Sequence, residues 1–473
     1  MPDVPGIKIP QRAFIFLWLV LTLLLPACDS ADEGKQQKVR KETAPSKTTD
    51  LLDTIKQRGT LIVLTSNQPT TCFYDRDNQL TGPECEMTRH FAKSLGVEVQ
   101  YRMYDSTKAV LQALREREGD IAAAGLTVNE KRKQEFDFGP VYQEVREYLV
   151  CHRTGKSILN KEDLAGLEIV VAADSNYLES IKNYTEMTWA PDHDLNTSKL
   201  LQQVAEKKIQ CTISDSNLFS IERRYYTELQ NKYIFAEHSE LAWAFNKNGQ
   251  KLKQAVNDWF RDYVESGARD AMQEKYYGFV EIFDYVDVHT FLKRIETRLP
   301  QYREYFIDAA TKNGIEPALL AAQSYQESHW DRKAKSPTGV RGIMMLTQPV
   351  AKSLGVTSRL DAKQNIYAGA KFLAKMKKMV EHVEEPERTW LALAAYNVGR
   401  GHFRDAQALA RKLGKNPDNW HEMKEVLPLL SEKKYYRDLR YGYARGSEPV
   451  RYVERIRSYE DLLKARFSSE SLK

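Results

Sequence analysis

The fold and chemistry of the second half of this 473-residue chain depend on the stretch ALLAAQSYQESHWDRKAKSPTGVRGIMML, residues 318–346. Pro317 is a favoured first-turn residue, and the alanines and leucines after it predict a helix that packs into a core. That helix carries Glu327 at its end, followed by Ser-His-Trp. A carboxyl group in this position is either a solvated helix end or an acid whose pKa is raised by poor solvation.

Glu327 has no evident carboxylate partner. Asp331 is the nearest candidate, but it lies beyond His329 and Trp330, where the helix is expected to have stopped. Most glycosidases pair two carboxylates, one as general acid and one as nucleophile or base. The stretch therefore predicts either a mechanism with one carboxylate, in which a protonated Glu327 donates a proton, or no catalysis at all.

The two halves of the chain have different periodicities. From about residue 50 to 280, predicted strands such as LIVLTS (61–66) and DIAAAGL (120–126) alternate with helices such as CEMTRHFAKSLGV (85–97). This rhythm predicts an α/β fold with a mostly parallel sheet. After about residue 283 the strand patterns vanish and the second half is predicted to be all-α. Its helix ERTWLALAAYNVG (387–399) is predicted to end near Asn397 and Gly399.

The N-terminus carries an export pattern. Lys8 and Arg12 precede an apolar run over residues 13–25, whose helix would span roughly 20 Å, short of the roughly 30 Å core of a bilayer. We predict a signal peptide over residues 1–27 and a flexible tether over residues 28–50. LPAC (25–28) resembles a lipoprotein processing box with Cys28 as the lipidated residue. Ordinary signal-peptide cleavage and an uncleaved anchor helix are the alternatives.

Export places the other four cysteines in an oxidising compartment, where an even count predicts disulfides. Cys72, Cys85, Cys151 and Cys211 allow three pairings, of which the turn-rich stretch between the first two favours Cys72–Cys85. No CxxC or nearby histidine completes a ligand set, so we predict no metal and no cofactor. The net charge of +5 comes without a concentrated basic face, so we expect no nucleic-acid partner.

The order of LTGPECEMTRHFAKSLGV (80–97) and AAGLTVNEKRKQEFDFGPVY (123–142) resembles the bacterial extracellular solute-binding proteins of the amino-acid-binding type. The resemblance covers roughly residues 55–280 and implies two α/β lobes that close on a small ligand. It assigns the ligand carboxylate to Arg132, with Thr127 beside it, and the ligand ammonium to Asp215. The alternatives are a solvated Arg132 and an Asp215 that serves only a turn.

Motifs in the second half occur in the order of another family: QESHW, SPTGVRGIMMLTQPVAKSLGV, NIYAGAKFL, ALAAYNVGRGH and EPVRYVERI. In this order they resemble the lytic transglycosylase domain, which is similar to goose-type lysozyme, over about residues 300–460. The resemblance implies an all-α lysozyme-like fold and a peptidoglycan lyase with Glu327 as its single catalytic residue. We predict a solute-binding-like, periplasmic-binding-protein-like regulatory domain at 51–283 and a catalytic domain at 284–473.

In that family the Glu protonates the oxygen between N-acetylmuramic acid and N-acetylglucosamine. It then takes the proton of the muramic C6 hydroxyl as that oxygen closes on C1. The comparison also implies these substrate-binding residues: Ser336, near the Glu or the N-acetyl group; Gly342, where backbone approaches the sugar; Met345, where the family usually has Gln; Tyr396 and Asn397, lining the cleft; and Tyr452, hydrogen-bonded to the Glu or the substrate.

These residues have structural alternatives. Met345 can form core or cleft wall, Asn397 a helix cap, and Tyr452 a packed aromatic. Trp330 is predicted to pack rather than to stack on sugar. His329 is predicted to be incidental.

Three functions are open from the sequence, of which the third, a lysozyme-type hydrolase, differs from the first only in leaving a reducing end instead of the anhydro ring. The first is a lytic transglycosylase acting on peptidoglycan glycan strands, with a muropeptide or amino acid as effector of the first domain. The alternative is a non-catalytic exported receptor for such ligands, whose helical domain docks on murein. We expect the protein at the periplasmic face of the outer membrane, attached through its N-terminus or peripherally. Asp29 after a lipidated Cys28 would favour the inner membrane in some bacteria.

Overall fold

The computed structural model describes residues 50–75, 78–173, 175–247, 249–280, 285–337 and 339–464, with backbone only for 285–287. The predicted signal peptide, Cys28 and nearly all of the tether lie outside these residues, as does the predicted domain boundary at 283–284. Across the part of the chain that is described, no helix combines the length and apolar character needed to cross a bilayer.

The first half contains two five-stranded sheets, ordered β4-β1-β5-β12-β6 and β11-β7-β10-β8-β9, and a small β2-β3 hairpin. The strands are β1 Thr60–Ser66, β2 Phe73–Tyr74, β3 Leu80–Thr81, β4 Glu98–Tyr104, β5 Ile121–Ala122, β6 Phe136–Phe138, β7 Gln143–His152, β8 Glu168–Ala172, β9 Thr188–Asp192, β10 Cys211–Asp215, β11 Leu229–Leu241 and β12 Ala244–Asn246.

Each sheet forms one lobe, and the prediction of a mostly parallel sheet needs correction. Strands β4, β1 and β5 pair in parallel, as do β10, β8 and β9. However, β7 pairs antiparallel with both β10 and β11, and β12 pairs antiparallel with β5 and β6. The antiparallel pairs arise because the chain passes from one lobe to the other along β7 and returns along β11.

Helices cover the faces of the two sheets. Those of the first half are α1 Leu51–Arg58, α2 Pro83–Leu95, α3 Thr107–Arg115, α4 Glu130–Glu135, α5 Tyr177–Ile181, α6 Thr197–Ala205, α7 Ser216–Glu222, α8 Gln250–Glu265 and α9 Ala268–Tyr277. A short 3-10 turn spans Glu162–Leu164. Each lobe has its own apolar core, and aromatic residues of α8 pack into the core of the first lobe.

The two disulfides are Cys72–Cys85 and Cys151–Cys211. The first confirms the favoured pairing and ties the β2 region to helix α2 of the first lobe. The second joins β7 to β10, where Cys151 and Cys211 are partners in register. Each disulfide therefore lies within one lobe, and neither of the two joins one lobe to the other.

After α9 the described chain is helical. Its helices are α10 Tyr285–Thr297, α11 Arg303–Thr311, α12 Pro317–Ser328, α13 Gln348–Ser353, α14 Ala362–Met379, α15 Glu387–Val398, α16 Arg400–Lys412, α17 Trp420–Val426, α18 Lys433–Tyr436 and α19 Ser447–Lys464, with 3-10 turns at Leu299–Gln301 and Leu427–Ser431. They surround one apolar core, to which α12, α14, α15 and α19 contribute the central side chains. This arrangement confirms the predicted all-α second half.

The two halves pack together in one compact unit. Arg457 of α19 is buried at their junction, where its guanidinium donates to the Oε1 atom of Glu274 at 2.5 Å and to the backbone oxygen of the same residue at 2.6 Å. The guanidinium also lies 3.9 Å from the ring centroid of Trp390. Ser458 donates to the backbone oxygen of Phe279 at 2.9 Å. Helix α19 therefore contacts the end of the first half, as does Lys424 of α17 through Glu274 and Gly278.

Candidate active site and binding cleft

Helix α12 ends in a conformation that sets the position of Glu327. Pro317 occupies its first turn, and eight buried side chains follow, which explains why this Ala/Leu-rich segment packs inward. His329 and Trp330, directly after the helix, both adopt left-handed backbone angles, with φ of 53° and 58°. Trp330 is 1% exposed and donates to the backbone oxygen of Ala321 at 2.9 Å, which confirms that it packs rather than meets sugar. Left-handed non-glycine residues are strained and are held there by such packing.

Among the described residues, the Glu327 carboxyl group accepts a hydrogen bond from one neutral donor. The hydroxyl of Tyr452, on α19, donates to its Oε1 atom at 2.5 Å, and Gln323 donates in turn to that hydroxyl at 3.1 Å. Glu327 is partly accessible from the surface, but the protein packed around its carboxyl group raises its pKa to about 8. The hydrogen bond from Tyr452 opposes this rise, and no other carboxylate contributes to it.

A second tyrosine lies close to the same carboxyl group. Burial and the charge of Glu327 raise the pKa of Tyr396 well above its usual range, so that its hydroxyl stays protonated. That hydroxyl donates to the backbone oxygen of Met344 at 3.2 Å. Burial also raises the pKa of Tyr452, so both phenols act as neutral donors beside Glu327.

The loop from Gly342 to Met345 is fixed by Asn365, the first residue of NIYAGAKFL. Asn365 accepts from the backbone nitrogen of Met344 at 2.7 Å and donates to the backbone oxygen of Arg359 at 3.0 Å. Gly342 has φ of 88°, and a Cβ atom there would lie 2.0 Å from the Arg359 oxygen. Glycine is therefore required by close packing within the protein. An approach of this backbone to a sugar stays a prediction.

Met345 follows the buried Met344 and is half-buried, with a left-handed φ of 46°. Ser336 lies in a turn, where its hydroxyl accepts from the Val340 nitrogen at 3.3 Å. Its predicted contact with Glu327 is not among the bonds that the structure describes and stays a prediction. Asp331 is exposed and accepts from the nitrogen of Lys333, so it does not serve as a second acid beside Glu327.

Asn397 lies on the surface, in a cavity that Tyr452 also lines. Helix α15 continues through Val398 and ends where Gly399 adopts φ of 84°, so the alternative in which Asn397 caps the helix is wrong. Gly399 as the end of the helix is confirmed. Asn397 lines a cavity of about 270 Å³ with these residues: Gln326, Glu448, Arg451, Tyr452 and Arg455.

The three predicted ligand residues of the first half lie together between its lobes. Thr127, Arg132 and Asp215 line one cavity of about 50 Å³. Arg132 is 8% exposed and donates to the Thr127 backbone oxygen at 2.8 Å, so it is not the solvated charge of the alternative interpretation. Burial and the charge of Glu147 raise the pKa of Asp215 to about 7, against a hydrogen bond from Tyr177 and the charge of Arg132.

Polar residues that were not predicted from the sequence form hydrogen bonds at this cleft. Asn129, in the first lobe, donates to Asn176, in the second, at 2.7 Å, and Asn176 donates to the Oε1 atom of Glu147 at 2.8 Å. Glu147 faces Asp215 across the register of β7 and β10, and its Oε2 atom is buried without a hydrogen-bond partner among the described residues. Glu147 could have been found only as a polar residue at a position where the alternating pattern of β7 places buried apolar residues.

The sequence also missed residues around Glu327. Gln323 lies four residues before it, on the same helical face, and that spacing was the available signal for a contact with the shared tyrosine. Asn365 precedes Gly369, Leu373 and Met376 at helical spacing on the buried face of α14, and a polar residue at such a position was the available signal. In the first half, the aromatic residue among those that line the cleft is Tyr177, which the sequence did not indicate.

Two family models match the chain, one in each of its two halves. Residues 61–279 match the model for bacterial extracellular solute-binding proteins, family 3. Residues 304–419 match the model for the transglycosylase SLT domain.

Similarity to two relatives extends over most of the chain. The chain is 41% identical to membrane-bound lytic murein transglycosylase F 2 of Alkalilimnicola ehrlichii, over 95% of this chain and 98% of that protein. It is 42% identical to membrane-bound lytic murein transglycosylase F of Maricaulis maris, over 89% of this chain and 93% of that one. Among solved structures, a mutant of ArgBP from T. maritima matches 48% of this chain and 99% of its own length, at 20% identity and a TM-score of 0.45.

Proposed function

The chain belongs to the lytic murein transglycosylase F family, and from this premise we propose that Glu327 is its only catalytic acid and base. The protein is a peptidoglycan lytic transglycosylase with a solute-binding first half. It cleaves the β-1,4 bond between N-acetylmuramic acid and N-acetylglucosamine and leaves a 1,6-anhydro end on the muramic sugar.

In the first step Glu327 acts as a general acid. With a pKa of about 8, most of the carboxyl group is protonated at neutral pH and can donate to the glycosidic oxygen as the C1–O bond breaks. The leaving sugar takes that proton as its new C4 hydroxyl. Tyr452, which donates to Oε1, stabilises the carboxylate that this transfer creates.

In the second step the same carboxylate acts as a base. It removes the proton of the muramic C6 hydroxyl as O6 forms a bond to C1, which closes the anhydro ring and restores the protonated Glu327. A hydroxyl held in this geometry reaches effective molarities on the order of 10⁵ M, against about 55 M for water. The substrate therefore supplies the nucleophile, which agrees with the absence of a second carboxylate from the groups that shift the Glu327 pKa.

The observation that carries this proposal is the packed carboxyl group of Glu327 with one neutral donor, Tyr452. The test is the release of soluble fragments from purified sacculi by the wild type, by Glu327→Gln and by Glu381→Gln as an exposed control. We expect the Glu327→Gln rate to fall about 10³-fold or more, since a positioned acid contributes about that much, and the control to match the wild type. Wild-type rates in Glu327→Gln would contradict the proposal.

We also propose that the first half binds an amino acid or muropeptide and thereby regulates cleavage. Arg132 would take the ligand carboxylate through its planar guanidinium, with Thr127 beside it. Asp215 would take the ammonium group, and the Asn129–Asn176 bond would hold the lobes closed around the ligand. Calorimetry with muropeptides and free amino acids, on the wild type and Arg132→Ala, tests this role. Binding that Arg132→Ala leaves unchanged would contradict it.

Helix α19 offers a physical route between the two sites. It carries Tyr452, which holds the catalytic carboxyl group, and Arg457, which is fixed to Glu274 of the first half. A ligand that moves α9 would therefore act on the helix that positions Tyr452. A variant with Arg457→Met and Glu274→Met, which removes both charges of the pair, should bind the ligand but lose its effect on cleavage.

The relatives are named as membrane-bound, and we propose the periplasmic face of the outer membrane for this chain. The export pattern of residues 1–27 and the lipid-accepting position of Cys28 support attachment through the N-terminus. Mass spectrometry of the mature N-terminus tests it: an acylated Cys28 is expected, and an unmodified N-terminus would leave only peripheral association.

A further inference from the structure

The cavity beside Glu327 is lined by charged residues that have no part in the proposed proton transfers. It measures about 270 Å³ and is lined in part by Gln326, the neighbour of the catalytic residue, and by Tyr452, which is bonded to it. A substrate seated against Glu327 would therefore extend into this space. The remaining lining residues are Asn397, Glu448, Arg451 and Arg455.

Arg451 and Arg455 lie four residues apart on α19 and so share one face of that helix. Within the described part of the chain, neither guanidinium forms an ion pair or a hydrogen bond. The one carboxylate among the residues that line the cavity, Glu448, pairs with Arg445 at 3.3 Å. Arg457, by contrast, is buried at the junction of the two halves and hydrogen-bonded to Glu274. Helix α19 therefore has one arginine that packs at the junction, Arg457. Its other two, Arg451 and Arg455, are available to a ligand beside Glu327.

We propose that Arg451 and Arg455 bind a carboxylate carried by the muramyl residue at the cleavage point, an inference that rests on the proposed function. A guanidinium matches a carboxylate with two parallel hydrogen bonds. On a glycan strand the muramyl residues bear a lactyl group, whose carboxyl is either free or joined to a peptide with carboxylates of its own. The glucosamine residues carry neither.

The consequence is a choice of register. Two kinds of β-1,4 bond alternate along the strand, and only the bond at C1 of the muramyl residue is cut. The anion site lies on one side of Glu327. When a muramyl residue occupies that side, its carboxylate pairs with the two arginines. When a glucosamine residue occupies it, the two arginines have no partner. Arg451 and Arg455 are therefore specificity-determining residues.

The experiment compares Arg451→Gln/Arg455→Gln with the wild type on three substrates. These are peptide-bearing strands, strands stripped of peptide with free lactyl carboxylates, and stripped strands whose lactyl carboxylates have been converted to methylamides. The control is Arg411→Gln/Lys412→Gln, which removes the same charge from exposed positions of α16. The measured quantities are KM and kcat.

We expect the double variant to raise KM about tenfold or more on at least one anionic substrate, with a smaller change in kcat. On the methylamide strands the variant and the wild type should have equal KM, and the control should match the wild type throughout. An effect only on stripped strands identifies the lactyl carboxylate, and an effect only on peptide-bearing strands identifies the peptide.

An unchanged KM on both anionic substrates, or an equal rise on the methylamide strands, would overturn the inference. That result leaves the proposed function intact, because the wild type still cleaves. A wild type that cleaves none of the three substrates would instead overturn the proposed function.

Discussion

Glu327 and Asp215, one in each half of the molecule, are acids whose pKa is raised mainly by burial, to about 8 and about 7. Their neighbours differ. Glu327 has one neutral donor, Tyr452, whereas Asp215 lies between the negative charge of Glu147 and the positive charge of Arg132. Burial alone thus does not define a role for a carboxyl group.

The difference lies in what each site does with a proton. A carboxyl group beside a neutral phenol can give up its proton and take another, since no fixed charge favours either state. A carboxylate beside both a guanidinium and a second carboxylate is suited to receive a cationic group, because Glu147 and Asp215 together outnumber Arg132 by one charge. The first arrangement suits proton transfer and the second suits binding.

After the loss of Glu327 itself, the largest expected effect concerns its neutral donor. Tyr452→Phe removes the hydrogen bond that stabilises the Glu327 carboxylate, so cleavage should slow by about 10²-fold. The same loss raises the Glu327 pKa further, so the alkaline limb of kcat/KM should move above its wild-type position near pH 8. Rate profiles on solubilised strands measure both quantities. Tyr443→Phe, at an exposed tyrosine, is the control, and a Tyr452→Phe limb at or below that of the wild type would contradict the assignment.

The next effect concerns the charged site. Asp215→Asn removes the proposed partner of the ligand ammonium, and we expect the ligand affinity to fall about 10- to 100-fold, as for a lost charged hydrogen bond. Calorimetry with the muropeptide or amino acid that binds the wild type measures the change. An affinity equal to that of the wild type would remove Asp215 from the binding site and with it the contrast to Glu327.

A smaller effect concerns closure of the cleft. Asn176→Ala removes the hydrogen bond to Asn129 that joins the two lobes in the closed state, together with a hydrogen bond to Glu147 within the second lobe. We expect ligand affinity to fall about 3- to 10-fold. Asn160→Ala, which removes a local bond on the surface of the same lobe, is the control. Equal affinities for the two variants would show that the cross-lobe bond does not contribute to ligand binding.

The smallest effect is on stability and has the same sign at both sites. A raised pKa means that the fold favours the neutral acid, so each carboxyl group lowers stability as the pH rises from about 4 through its folded pKa. Glu327→Gln and Asp215→Asn should therefore raise Tm by a few degrees relative to the wild type at pH 9, and by less at pH 4.5. Thermal unfolding at the two pH values tests this. A larger gain at pH 4.5 would contradict the burial argument.

The sequence predicted the elements whose pattern is local. The α/β and all-α halves, the Cys72–Cys85 bond and the apolar helix ending on Glu327 follow from periodicity and spacing within short segments. The family resemblance indicated Tyr452, although 125 residues separate it from Glu327. The alternative in which Asn397 caps α15 was wrong by two residues, because the cap is the left-handed Gly399.

Features that depend on long-range packing could not be predicted in this way. The antiparallel pairs of β7 arise from the passage of the chain between lobes, which no local pattern encodes. Gly342 is a glycine because the Arg359 carbonyl lies against it, and that contact is fixed by helix α14. The closeness of Glu147 to Asp215 likewise requires the register of two strands far apart in sequence.

The most direct test of the central claim is mass spectrometry of the fragments released when sacculi are digested in water enriched in ¹⁸O. A single acid and base at Glu327, with the muramic C6 hydroxyl as nucleophile, predicts fragments that end in the 1,6-anhydro ring, one water lighter than a reducing end and free of ¹⁸O. Reducing ends that carry ¹⁸O at C1 would show that water is the nucleophile, and would contradict the account.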